Sequence, residues 1–192
     1  MAVALSRHRF TADEYQQMGH AGILREHDRV ELIDGEVVEK VTIGPRHNGA
    51  TTRLNHLFTA RVGAEALVQV QGAVRLDPYS EPEPDVVLLR ARADFYVSAL
   101  PGPADLLLVV EVAERSLDYD RSVKADLYPR SGVAEYWLVD LNSRHVTRHL
   151  DPGDGGYRSV DVLRPGEPIA PSLLPSCVVT AEDLVGGEAP PV

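Results

Sequence analysis

Three stretches of the chain are predicted to be helical, from apolar residues at helical spacing or from helix start and stop signals. The first helix is predicted to begin at Thr11, because Thr11 and Glu14 have the spacing of a capping box. A second helix is predicted over residues 45–62, where a proline stands at the tolerated first position and apolar residues recur every three or four positions. A third is predicted to run from Asp118, a typical N-cap residue, to Gly132, a typical stop.

Other stretches alternate between apolar and polar residues or form short apolar runs of strand length. Asp34-Gly35 lies between two alternating stretches, which is a strong signal for a β-hairpin. Strands both precede and follow helices, so the predicted class is α/β, a mixed central β-sheet flanked by helices. The predicted strands span residues 29–33, 36–41, 66–76, 83–90, 105–113, 133–141, 145–151 and 156–163.

The length of 192 residues suits one domain, and 44% hydrophobic with 25% charged residues is the balance of a globular protein. We predict a single domain over residues 1–185 and a disordered, Gly/Pro-rich tail over 186–192. The lone cysteine, Cys177, excludes an intramolecular disulfide and a thiolate zinc cluster. No signal peptide is recognisable and no apolar run approaches the roughly 20 residues of a membrane helix, so we expect a cytoplasmic protein without a membrane segment.

The formal net charge of −10 counts against a large nucleic-acid-binding face, because such a face is usually basic. The charge still permits a local basic groove. A bound divalent cation would neutralise part of the excess acid.

Two acidic residues stand at the ends of predicted buried strands. Asp85 lies at the start of one strand, and Glu111 follows the apolar run 106–110 of another. An ionised carboxylate beside such a run is costly unless a cation or a basic side chain compensates for it. If the two strands are neighbours, both carboxylates converge at one edge of the sheet. The pair then predicts a site for a hard cation, Mg²⁺ or Mn²⁺.

Lys124 is the third candidate, because lysine is rare in this chain. Among the 19 Lys and Arg residues only Lys40 and Lys124 are lysines. A chain that prefers arginine is expected to keep lysine where a compact ammonium group is needed. Lys124 borders the apolar stripe of the third predicted helix, so its side chain can reach the sheet edge. The alternative is an ordinary surface ion pair with Asp120, one helical turn earlier.

The order of Glu31, Asp85, Glu111 and a nearby lysine resembles the PD-(D/E)XK nuclease superfamily. A more specific resemblance is to the Uma family of proposed restriction endonucleases, and it runs from about residue 10 to residue 163. The stretches that carry it are VELIDGEVVE, EPDVVLL and the long block VVEVAERSLDYDRSVKADLYPRSGVAEYWLVDL.

This resemblance implies a restriction-endonuclease-like fold and metal-dependent hydrolysis of DNA phosphodiester bonds, with Mg²⁺ or Mn²⁺ as cofactor. The motif lysine would fall at Ala113, so the resemblance implies a variant in which Lys124, on the following helix, takes its place. DNA is the implied partner, and a homodimer is plausible on the same grounds. The implied catalytic residues are Asp85, Glu111, Lys124 and Glu31, and the implied metal ligands are Asp85, Glu111 and the backbone carbonyl of Val112.

Several alternatives stay open at this point. Glu111 can be a solvent-facing residue at a strand end, and His47 can either contact a phosphate or metal or serve as a helix cap. A group of arginines in and just before the third helix is either a local phosphate-binding edge or a solvated helix face; its members are Arg115, Arg121 and Arg130. Three aromatic residues are predicted to be core rather than base-stacking platforms: Tyr128, Tyr136 and Trp137. For the whole protein, the alternative is a nuclease fold without catalysis, used for binding or assembly.

Overall fold

Local sequence signals place the helices of the computed structural model, which describes residues 7–25 and 27–187. The predicted capping box is present, because Thr11 Oγ1 accepts from the Glu14 N–H while the Glu14 carboxylate accepts from the Thr11 N–H. Gly132, with φ of +81°, follows the last turn of the third helical region, as predicted. The helices are α1 (Ala12–His20), α2 (Pro45–Val62), α3 (Leu117–Tyr119), α4 (Ala125–Arg130) and α5 (Ala181–Val185), with a π-helical turn at Asp120–Lys124 and a 3₁₀ turn at Pro103–Asp105.

Six strands form the central sheet, in the spatial order β3-β4-β5-β6-β7-β8. Neighbouring strands are antiparallel except β5 and β6, which are parallel and are joined by the α3–α4 segment, so the sheet is mixed as predicted. The strand pairs β1–β2 and β9–β10 lie outside this sheet. The strands are β1 (Val30–Ile33), β2 (Glu36–Glu39), β3 (Ala66–Val70), β4 (Val86–Arg90), β5 (Leu106–Ala113), β6 (Glu135–Asp140), β7 (His145–Gly153), β8 (Gly156–Leu163), β9 (Pro168–Ile169) and β10 (Val179–Thr180).

Several element predictions were wrong in detail. The strand predicted over 83–90 begins at Val86, because Pro82 and Pro84 have no N–H to donate to a neighbouring strand. The strand predicted over 66–76 ends at Val70, because Gln71 adopts a positive φ of 48° and turns the chain out of the sheet. The helix predicted to be capped by Asp118 begins two residues earlier, with Ser116 at the N-cap position, and a π-helical turn interrupts it. Asp118 lies instead in the first turn, where its charge complements the helix dipole.

The sheet separates two apolar clusters, and alternate residues of β5 face one or the other. Val110 and Val112 belong to the cluster covered by α2 and α5, whereas Val109 and Ala113 belong to the cluster that includes α4. Glu111 alternates with Val110 and Val112, so it lies on the α4 side of the sheet. The three aromatic residues predicted to be core, Tyr128, Tyr136 and Trp137, are fully buried.

The C-terminal segment is only partly described. Helix α5 ends at Gly186, whose N–H donates to the carbonyl of Glu182. The last five residues of the predicted disordered tail, 188–192, lie outside the described residues. Among the helices that the structure describes, none is long and apolar enough to cross a membrane.

Candidate active site

The pairing of β4 with β5 brings Asp85 and Glu111 together, as the sequence predicted for neighbouring strands. The two strands are antiparallel and Val86 pairs with Val110, so the residue before β4 lies beside the residue after Val110. The Asp85 N–H donates to Glu111 Oε2 at 3.2 Å. Both carboxylates are buried, with 8% of Asp85 and 5% of Glu111 exposed.

The carboxylate of Asp85 is fixed through one of its two oxygens. Oδ2 accepts from the Val112 N–H at 2.9 Å and contacts His47 Nε2 at 3.0 Å, whereas Oδ1 has only a 3.5 Å contact with Gln71 Nε2. Burial raises the pKa of Asp85, but the hydrogen bonds and charge of its partners outweigh burial and hold that pKa below its usual value. Asp85 is therefore an ionised acceptor with one oxygen left open.

Lys124 joins two acidic residues that are distant in sequence. Its Nζ donates to Glu31 Oε2 at 2.7 Å and to Glu111 Oε1 at 3.3 Å, and its side chain is only 3% exposed. Burial lowers the pKa of Lys124, but the two carboxylates raise it above its usual range, so the ammonium stays charged. The alternative surface ion pair with Asp120 is wrong, because Lys124 binds these two carboxylates instead.

The carboxylate of Glu31 accepts hydrogen bonds from three donors. Besides Lys124, it accepts from the Tyr119 hydroxyl at 3.0 Å and from the Glu83 N–H at 3.1 Å. Burial raises the pKa of Glu31, yet Lys124 more than offsets this and leaves it lowered. Hairpin β1–β2 thus brings Glu31 to the same place as Asp85 and Glu111, and its contacts are those of a residue that fixes Lys124.

Glu111 is the least compensated carboxylate of the group. The Tyr128 hydroxyl donates to Oε1 at 2.5 Å, and Lys124 contacts the same oxygen. Burial, with the charges of Asp85 and Glu31, nevertheless raises the pKa of Glu111 above its usual value despite Lys124. A further positive charge at this position would stabilise the ionised form.

Asp120 is a site residue that sequence reasoning missed. It is 5% exposed, it lines the cleft, and its Oδ2 accepts from the Ser116 hydroxyl at 2.5 Å. Burial and the charge of Glu111 raise its pKa to about 8. The signal in the sequence is its spacing of four from Lys124, which places both residues on the same helix face. The same spacing is also that of a surface ion pair, so it does not by itself indicate a buried site.

Asp120 and Lys124 are the first and last residues of the π-helical turn, and both are buried. The Tyr136 hydroxyl donates to the Asp120 carbonyl at 3.3 Å, and the Ala125 N–H reaches back to that carbonyl, five residues away. Insertion of a side chain into the helical hydrogen-bond ladder is a known cause of such turns, which are frequent at functional sites.

These residues line one cleft of about 150 Å³. Seven carboxylates and four Lys or Arg side chains face it, so its lining is acidic. Of the arginines considered as a phosphate-binding edge, Arg115 lines the cleft and Arg130 instead binds Asp34 at 2.6 Å. The charged lining residues are Arg29, Glu31, Glu39, Lys40, Glu83, Asp85, Glu111, Glu114, Arg115, Asp120 and Lys124.

The predicted metal ligands are two carboxylates and a carbonyl. Within residues 7–25 and 27–187, no group of three or more His, Cys, Asp and Glu side chains is arranged to hold a metal ion. The Val112 N–H points to Asp85, and in an extended strand the carbonyl of a residue lies on the same side as its N–H. The Val112 carbonyl is therefore directed to the side on which Asp85 lies, which suits a site with two carboxylates, one carbonyl and several waters.

The comparisons with known proteins agree with the resemblance and with the fold. The chain is similar, over 92% of its length and 97% of the other chain, to a crystal structure described as "a putative nuclease belonging to DUF820 from Anabaena variabilis ATCC 29413", with a TM-score of 0.73 and 16% identity. None of the curated proteins matches the chain in sequence. The profile of the Uma2 family, described as "Putative restriction endonuclease", matches residues 12–182. The chain therefore belongs to the Uma2 family.

Proposed function

We propose that this protein is a metal-dependent endonuclease that hydrolyses DNA phosphodiester bonds, with Mg²⁺ or Mn²⁺ as its cofactor. The observation that carries the proposal is the convergence of Asp85, Glu111 and Lys124 at one buried sheet edge in a member of this family. The three residues are the acid–acid–lysine set that the resemblance implies.

The carboxylates fit a divalent cation. Asp85 keeps Oδ1 open, and Glu111 carries a charge that its partners do not fully compensate. Asp85, Glu111 and the Val112 carbonyl would hold the ion, and waters would complete its shell. When bound, the ion would polarise a phosphate oxygen and lower the pKa of a bound water.

Lys124 would act on the phosphate or on the attacking water. An ammonium group has three N–H donors, and Glu31 and Glu111 accept from two of them. The third donor can orient the water or stabilise the negative charge that develops on the phosphate. Glu31 would position Lys124 rather than touch the substrate, because its oxygens already accept from three donors.

The test is cleavage of plasmid DNA in Mg²⁺, in Mn²⁺ and in EDTA. Asp85→Asn and Lys124→Met should each lower the rate by about 100-fold or more, because each removes a charge next to the reacting phosphate. Glu36→Gln changes an exposed carboxylate on the β1–β2 hairpin and serves as the control. If folded Asp85→Asn cleaves as fast as the wild type, Asp85 is not part of a catalytic site.

The second candidate is a nuclease-fold protein that binds or assembles without cutting. Ala113 at the motif position and the acidic lining of the cleft favour it. This candidate predicts that neither Mg²⁺ nor Mn²⁺ binds at Asp85 and Glu111. Calorimetric titration of the wild type, Asp85→Ala and Glu111→Ala separates the two. Binding by the wild type alone contradicts the second candidate, whereas no binding in any of the folded proteins contradicts the endonuclease.

A further inference from the structure

Both lysines of the chain end in the same cleft, and only one of them is explained by the acidic site. Lys124 is bound by Glu31 and Glu111, deep in the interior. Lys40, at the end of the β1–β2 hairpin, lines the same cleft but binds neither of those residues. A chain with two lysines among 19 basic residues thus places both ammonium groups around one site.

The contacts of Lys40 fix its position without using all its donors. Nζ donates to the Glu83 backbone carbonyl at 2.8 Å and to Glu83 Oε2 at 3.3 Å. Of the three N–H groups of the ammonium, one therefore has no partner among the residues that the structure describes. The lysine side chain is 15% exposed and the glutamate side chain 38%, so water can solvate the carboxylate when the ammonium leaves it. The distance of 3.3 Å between Nζ and Oε2 is long for a charge-assisted hydrogen bond, so this ion pair is weak.

The partner of Lys40 adjoins the acidic group, because Glu83 is two residues before Asp85 and its N–H donates to Glu31. Burial, His47 and the Val112 N–H have larger effects on the pKa of Asp85, and the Lys40 charge adds a small lowering. After burial and Lys124, it also helps to lower the pKa of Glu31. Lys40, Glu31 and Asp85 line one cleft, so the Lys40 ammonium faces the space in which a group bound to Asp85 would lie.

A phosphate that enters this cleft meets more carboxylates than basic side chains. The ammonium of Lys124 is shared by two carboxylates, and Arg29 and Arg115 are exposed residues at the rim. Lys40 is the lining cation that is both partly buried and bound by one weak ion pair. It is thus the best placed of the four to exchange a carboxylate for a phosphate oxygen.

We propose that Lys40 is a phosphate-binding residue, which takes a backbone phosphate of the nucleic acid next to Asp85 and gives up Glu83 in exchange. The assignment rests on the proposed nuclease function and names the group that holds the substrate in an acidic cleft. Lys40 would contribute to substrate binding, so its loss should raise KM and leave kcat nearly unchanged.

The salt dependence of DNA binding tests the role of Lys40, because each phosphate contact adds a fixed amount to the slope of log K against log salt. Binding of a short fluorescein-labelled DNA oligonucleotide would be followed by anisotropy in Ca²⁺ over a range of KCl. The slope of log K against log salt should become shallower in Lys40→Gln, by about 0.9 for a duplex and about 0.7 for a single strand. Lys40→Arg should keep the slope. Arg158→Gln, which makes the same charge change on strand β8, should also keep it.

A second variant has the opposite expected sign. Glu83→Gln keeps the backbone carbonyl that positions Lys40 but removes the competing carboxylate, so it should tighten DNA binding. In the Lys40→Gln background that gain should disappear, which a double-mutant cycle measures.

The outcomes separate this proposal from the proposed function. A folded Lys40→Gln with the wild-type slope and KM overturns the role of Lys40, while metal-dependent cleavage by the wild type leaves the nuclease intact. If Lys40→Gln does not fold, a Glu83→Gln variant that binds no tighter than the wild type overturns the role of Lys40. A wild type that neither binds nor cleaves DNA overturns both.

Discussion

At the scale of single residues, the site depends on buried charges that compensate one another. The ammonium of Lys124 is the shared partner of Glu31 and Glu111, and all three are almost entirely buried. Removing one partner of a buried ion pair lowers stability by more than the net contribution of the intact pair, because the remaining charge is then buried without a partner or water. Stability and function are therefore linked at Lys124.

Lys124→Met should lower the free energy of unfolding by about 3–5 kcal/mol, because it leaves two buried carboxylates without their cation. Urea unfolding measures the loss. The double variant Lys124→Met/Glu31→Gln should recover part of it, since one of the uncompensated charges is then gone. A single variant as stable as the wild type, or a double variant no better than the single, would contradict this account of the site.

His47 shows how a contact outside the acidic set can matter. Its Nε2 lies 3.0 Å from Asp85 Oδ2, and its Nδ1 lies 3.4 Å from the Thr51 hydroxyl, one turn further along α2. His47→Ala should free the Asp85 carboxylate to rotate and should weaken Mg²⁺ binding, as removal of outer hydrogen-bond partners does at other metal sites, by about 10-fold or more.

Calorimetric titration of Mg²⁺ measures that change. His47→Gln, which keeps a donor, should restore part of the Mg²⁺ affinity. If the role of His47 is purely structural, both variants should lose the same thermal stability and the same Mg²⁺ affinity. Thr59→Ala changes an exposed hydroxyl on the same helix and should leave the affinity unchanged.

A pH-dependent term is expected from His149, which lies away from the acidic site. Its ring stacks on Tyr136 with the centroids 5.0 Å apart. Burial lowers the pKa of His149 below its ordinary value of 6.5. Below about pH 6.5 the imidazole of the unfolded chain binds a proton more readily than that of the folded chain. The contribution of His149 to the free energy of unfolding is therefore fully present above about pH 6.5 and is lost as the pH falls below it.

Urea unfolding of the wild type and of His149→Phe, measured from neutral to mildly acidic pH, tests this term. The phenyl ring keeps the stacking on Tyr136 but cannot titrate, so the variant should lose less stability than the wild type over this range. Carboxylates contribute equally to both proteins and cancel in the comparison. Parallel pH profiles would show that the imidazole is not the cause.

At the scale of elements, pairing and periodicity could be predicted and long-range contacts could not. The strand pattern predicted that Asp85 and Glu111 meet if their strands are neighbours. They do meet, because the start of β4 pairs with the end of β5 in antiparallel register. The contact of His47 with Asp85 depends on how α2 packs against the sheet, and no local pattern encodes that packing. The π-helical turn was missed for the same reason, because the Tyr136 hydroxyl that donates to its Asp120 carbonyl comes from strand β6.

Tyr136→Phe should test the π-helical turn as an element. It removes the hydroxyl that donates to the Asp120 carbonyl, so it should cost about 1 kcal/mol of stability. Because the turn sets the positions of Asp120 and Lys124 together, cleavage should fall by more than this small loss of stability explains. Activity and urea unfolding of the same preparation give both quantities. Tyr157→Phe, which removes a hydroxyl that donates to the Val133 carbonyl, is the matched control.

At the scale of the whole molecule, the net charge of −10 and the acidic cleft lead to repulsion between carboxylates in the folded state. Seven carboxylates face the cleft. Burial raises the pKa values of Glu111 and Asp120, and the charges of Asp85 and Glu31 raise that of Glu111 further, as the charge of Glu111 does for Asp120. The folded chain therefore carries repulsion that the unfolded chain, with its carboxylates in water, does not. A divalent cation bound in the cleft would relieve this repulsion and stabilise the fold as a whole.

Mg²⁺ and Mn²⁺ should accordingly raise the melting temperature. A ligand that binds only the folded state stabilises it by about 2.7 kcal/mol when present at 100 times its Kd. K⁺ at the same ionic strength should have a much smaller effect, because it screens exposed charges without occupying the site. Asp85→Asn should abolish the shift, whereas Glu36→Gln, at an exposed position, should keep it. Equal shifts in all three proteins would mean that the ions act on the surface as a whole and not at the carboxylate pair.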